Sequence, residues 1–107
     1  MYLIIIQLFK TEYKEDLFMA ISSAGIYRTT YCDAVNLDKE LGASMSLFSG
    51  IFRSAEEKER YAKVYFCFAE EKDQADAIVE GFEIAGIDWK KDEIFQMAVV
   101  PVEKLYP

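Results

Sequence analysis

Histidine is absent from all 107 residues. That removes the commonest general base, the commonest metal ligand and the usual pH switch in one step. Any catalysis would have to run on carboxylates, Lys, Tyr, Thr or Cys. Cysteine is scarce: Cys32 and Cys67 stand alone, and two isolated thiols make no disulfide framework. A cytoplasmic location is the expectation from that usage. Positive charge is also in short supply, with 12 Lys and Arg against 19 Asp and Glu and a formal net charge of −7. Nucleic acid is therefore not an expected partner, since phosphate binding needs a basic patch. No apolar run approaches the roughly 20 residues of a membrane span. The opening MYLIIIQLF is short and lacks a basic leader or a small-residue cleavage pattern, so it does not read as a signal peptide.

What is present suits one small globular domain, residues 1–107. Hydrophobic residues make up 52% and charged residues 29%, a balance that folds rather than stays disordered. A chain of this size buries roughly 65% of its unfolded surface, enough for a core without staples.

The organising stretch is YAKVYFCFA at 61–69, rich in β-branched and aromatic residues and free of Gly and Pro, hence a strand. Alternation puts Ala62, Val64, Phe66 and Phe68 on one face and Tyr61, Lys63, Tyr65 and Cys67 on the other. The first set is uniformly apolar and is expected to face the core. Residues 2–9 form an earlier strand, apolar on both faces and so expected to be covered on both. Thr11 is placed to cap a helix with Glu12, Glu15 and Asp16 in its first turns. Its stripe is Leu17, Ala20, Ile21 and Ala24, with Phe18 and Met19 beside it. Residues 26–35 read as a strand, 70–85 as a second helix with the stripe Ala75, Ile78, Val79, Phe82 and Ala85, and 94–100 as a last strand ending at Pro101. Both helices finish on Ala-Gly-Ile, at 24–26 and 85–87.

The order β-α-β-β-α-β predicts an α+β, ferredoxin-like sandwich: a four-stranded antiparallel sheet with two helices on one face. The other face would then be too apolar for water, so a homo-oligomer is expected.

Two segments carry a family likeness. FKTEYKEDLFMAISSAGI at 9–26 and EIFQMAVVPVEKL at 93–105 resemble the PII signalling proteins. In that family a first strand leads into an acidic helix ending in Ala-Gly and an apolar residue, and the last strand runs into a Pro-Val-Glu turn. The resemblance spans the two ends and the second helix. It implies a homotrimer that senses a small molecule and docks on a membrane transporter or an enzyme through a long loop after the second strand, here 37–54. The departures are specific. The glycine-rich phosphate loop of the family is replaced by IDWKKDE at 87–93, its basic residue before Ile-Phe falls on Glu93, and the basic residues after the last strand are missing. The tyrosine-bearing modification motif of its loop is missing too. ATP binding of the family type, and any other cofactor, are therefore not expected.

Within the loop, residues 41–52 carry no charge until Arg53 follows. Met45, Leu47, Phe48, Ile51 and Phe52 are the candidate partner-binding side chains, as buried anchors in a second protein or folded back on their own oligomer. Arg28, Lys63, Lys90 and Lys91 are the cations available to a ligand cleft between subunits, for a small anion such as a carboxylate. As ordinary surface charge they would need no ligand. Cys32 and Cys67 read as a redox pair or, more simply, as buried packing. The acidic pairs Glu56-Glu57 and Glu70-Glu71 suit helix starts better than metal. The reading is a non-enzymatic regulatory protein without a metal. Its rivals are a cofactor-free dimeric α+β barrel enzyme using Tyr31, Tyr65 or Asp33 as acid or base, and a trimer of the CutA type, whose His and Cys ligands are not evident here.

Overall fold

The computed structural model describes residues 1–37 and 60–107. Met45, Leu47, Phe48, Ile51 and Phe52, with all of the 37–54 loop beyond Leu37, lie outside the described residues. Among the described residues the elements run β1 (Tyr2–Leu8), α1 (Lys14–Ser23), β2 (Arg28–Val35), β3 (Tyr61–Ala69), α2 (Asp73–Ile84) and β4 (Phe95–Pro101). The strands form one antiparallel sheet in the order β2-β3-β1-β4. This is the ferredoxin-like α+β fold.

Both helices lie on one face. A single cluster joins Ile4, Ile6 and Leu8 of β1 to Leu17 and Ile21 of α1 and to Ile78 and Phe82 of α2. The β3 face assignment made from sequence is inverted. Tyr65, Cys67 and Ala69 are the buried set, while Phe66 and Phe68 are 39% and 36% exposed on the open face. The misleading residue is Lys63. It belongs to the helix-covered face but sits near the start of the strand, where its ammonium reaches the rim and pairs with Asp33. A charged group at the end of a strand does not mark the whole face as solvated.

The Ala-Gly-Ile repeat has a structural cause. Gly25 and Gly86 take φ of +79° and +74°, the left-handed step that L side chains resist. Ile26 N–H then donates to Ile21 O at 3.3 Å and Ile87 N–H to Phe82 O at 3.0 Å. These are the long closing bonds of Schellman turns, with the following Ile packed back on the core. Thr11 does not cap α1. A 3-10 turn, Thr11–Tyr13, precedes the helix, and Tyr13 stands at the N-cap without a side-chain bond. Helix α2 starts later than the sequence suggests because Gln74 holds the preceding turn: its Oε1 accepts from Glu71 N–H at 3.0 Å and its Nε2 donates to Ala24 O at 3.1 Å. Ala85, read as part of the α2 stripe, is exposed at the C-cap. Where the helices cross, Gly81 faces Ala20 so closely that a Cβ there would lie 3.1 Å from the Ala20 Cβ.

Candidate functional site

Strands β2 and β3 pair Thr29 with Cys67, Tyr31 with Tyr65, and Asp33 with Lys63, all on the helix-covered face. Cross-strand neighbours at this spacing touch. Lys63 Nζ donates to Asp33 Oδ1 at 2.6 Å, lies 5.1 Å from the centre of the Tyr31 ring, and the Tyr31 and Tyr65 rings are 5.3 Å apart. The hydrogen bond to Asp33 raises the Lys63 pKa above its ordinary value, so the ammonium stays charged through neutral pH. Burial pushes the Tyr65 phenol up, with Lys63 pulling the other way. Above these strands α1 contributes Lys14, Glu15, Phe18 and Ile21, and the turn into β2 contributes Tyr27. Together they enclose a cleft of about 480 Å³.

A second cleft, about 810 Å³, lies where the α2–β4 connection meets β1, with Gln7, Lys10, Trp89, Lys90, Lys91 and Glu93 on its walls. Trp89 stacks on Phe95 at 5.2 Å. Lys91 N–H donates to Asp88 Oδ1 at 3.1 Å, and the amides of Asp92, Glu93 and Ile94 donate to Asp88, Lys90 and Trp89 carbonyls. Glu93 reaches φ +49°, an uncommon value for a residue with a Cβ. The amides of 91–94 are used within the loop, whereas an anion nest leaves its donors free.

The four candidate cations are not gathered within one protomer. Lys90 and Lys91 share the second cleft, Lys63 lies in the first, and Arg28 stands at a third hollow of about 510 Å³ beside Phe68, Leu105 and Tyr106. Sequence reasoning missed that Phe18, Tyr27 and Tyr31 meet in one place. The period-two run Thr29, Tyr31, Asp33 set opposite Cys67, Tyr65, Lys63 held that signal, but reading it requires the strand register.

Cys32 and Cys67 lie on neighbouring strands but on opposite faces, since Cys32 pairs with Val64 and Cys67 with Thr29. They do not form a redox pair. Cys67 is fully buried, and burial pushes its thiol pKa up, which keeps it protonated and unreactive. Facing it, Thr29 Oγ1 is buried, and its one interaction is a poorly aligned contact with the Cys67 sulfur, which pulls that thiol pKa down against the larger effect of burial and leaves the hydroxyl without a well-formed hydrogen bond among the described residues. An unpaired buried hydroxyl costs about 1–3 kcal/mol. Thr29→Val keeps the β-branched shape and removes that cost, so it should stabilise the protein by about 1 kcal/mol and raise the melting temperature by about 4–8 °C. Thermal denaturation followed by circular dichroism checks this, and an unchanged or lower midpoint would show that the hydroxyl is satisfied.

On the open face of the sheet the register brings Leu3, Ile5, Val64, Phe66, Phe68 and Val100 together. Among the described residues no group of three or more Cys, Asp or Glu converges as metal ligands, and no helix is long and apolar enough to cross a membrane. No family model matches the chain, and no curated protein sequence matches it.

Proposed function

We propose that this chain is a PII-like regulatory protein: a cytoplasmic, non-enzymatic homotrimer that binds a small-molecule effector and docks on a partner protein, such as a transporter or an enzyme, through residues 37–54. The observation that carries this reading is the open sheet face. Phe66 and Phe68 are more than one-third exposed beside Leu3, Ile5 and Val100, and a sheet apolar on both faces is normally covered on both. A ferredoxin-like domain has helices for one face only, so the second cover is another copy. In this reading the effector binds at a cleft between subunits. The second cleft supports an anion there, since Lys10, Lys90 and Lys91 stand against Asp92 and Glu93, and with the amides of 91–94 already bonded within the loop, a compact anion fits better than a polyphosphate.

Solution mass by light scattering tests the assembly. The expected value is three times 12.3 kDa, falling to a single copy in Phe66→Lys. A monomeric parent would sink the reading. A dimer would shift weight to the cofactor-free enzyme, because Tyr31, Tyr65 and Asp33 do share one neighbourhood. Against that alternative, Asp33 is tied to Lys63 and burial holds Tyr65 protonated, so neither of these two is a ready base.

A further inference from the structure

We propose that the cleft between α1 and β2 is a binding site, complete within one protomer, for a planar aromatic small molecule carrying a single carboxylate. This goes beyond the inter-subunit effector site and does not depend on the assembly.

The first reason is where the exposed aromatics are. Phe18, Tyr27 and Tyr31 are 62%, 88% and 57% exposed, and all three line this one cleft. Scattered single aromatics on a surface need no explanation, but convergent ones mark a contact surface. The second reason is the floor. Ile21, Ile26 and Tyr65 are at most 6% exposed, so the base is part of the core and is already formed before anything binds. Its volume, about 480 Å³, is in the usual range for small-molecule sites, which are mostly apolar with a few placed polar groups. A flat ring set against the exposed Phe18 and Tyr27 side chains takes the offset or edge-on geometries aromatic pairs prefer.

The charges select the rest of the ligand. Lys14 enters from α1 and has no ion-pair partner among the described residues. Lys63 enters from β3, and its partner Asp33 has a side chain 83% exposed, so water can take over that carboxylate when Lys63 turns to a ligand. Glu15 also lines the cleft. The lining itself carries Lys14 and Lys63 against Glu15, a net charge of +1, which one carboxylate neutralises and a phosphate dianion exceeds.

The test uses 2-naphthoate as the probe, with 2-naphthalenemethanol and cyclohexanecarboxylate as controls, in amide-resolved NMR titrations of the full chain. Naphthoate should move the amides of 14–27, 29–31 and 63–65, and should bind about tenfold more tightly than either control, the charge-assisted contact and the ring each being needed. Lys14→Gln and Phe18→Ser change exposed side chains, so both variants should keep the parent melting temperature while losing about tenfold in affinity. Equal binding of all three probes, shifts confined to 89–93, or full affinity in both variants would overturn the assignment. Because every group comes from one protomer, a monomeric chain would end the trimer reading and leave this test intact.

Discussion

Phe82→Ala should cost about 3–5 kcal/mol, the range for truncating a buried aromatic ring. The total available to a domain of this size is about 5–15 kcal/mol, so the variant should melt some 15–30 °C lower or fail to fold at 37 °C. Phe82 is 1% exposed. Its ring lies 5.0 Å from that of Phe95, which stacks on Trp89 in turn. The cavity would therefore open where α2 meets β4, between side chains that already hold one another in place and have little freedom to collapse. Urea denaturation at fixed protein concentration, needed because association shifts apparent stability, gives the number. A loss below about 1 kcal/mol would mean that the neighbours refill the space and that the ring stack is loosely packed.

The helix crossing gives the second large effect, at a residue with no side chain. Gly81→Leu should destabilise by about 3 kcal/mol, the upper end for overpacking. The new Cβ would meet the Ala20 Cβ at 3.1 Å and the Ala20 backbone at 3.4 Å, and backbone cannot swing aside as the tip of a long side chain can. Gly81→Ala is the informative control. Helix propensity favours Ala over Gly by about 1 kcal/mol, and a few tenths of an ångström of helix separation offsets that gain, so the net change should stay within about 1 kcal/mol. Adding Ala20→Gly to Gly81→Leu should recover part of the loss, because the two positions share one contact. If the double variant gains nothing, the helices are not held at this distance by the Ala20–Gly81 contact.

Much of the fold was legible because local signals agreed with one another. Two acidic helix starts, two Ala-Gly-Ile ends and four strand-like runs leave one economical topology, and the Schellman bonds at Ile26 and Ile87 show why that tripeptide recurs. The β3 face was not legible. Both of its alternating sets are apolar, so period two alone offers no choice, and Lys63 tipped the reading the wrong way. The site was legible only in fragments. Lys63, Lys90 and Lys91 stood out by charge, yet charge does not reveal that Lys63 is bonded to a residue thirty positions away. Phe18 looked like the rim of a helix stripe, and its exposure beside Tyr31 depends on how α1 sits over the β2 edge. The spent amides of the 89–94 turn were also hidden, since hydrogen bonding inside a loop has no signature in residue type.

Gln74 is a small part of this architecture with a wide reach. One amide fork holds the turn between β3 and α2 and, through Ala24, the C-terminal end of α1. The two halves thus share a fastener at the point where each would otherwise fray. Loss of this one side chain would therefore loosen the α1 end and the α2 start together, which ties the two strand-helix units to each other at their helix ends.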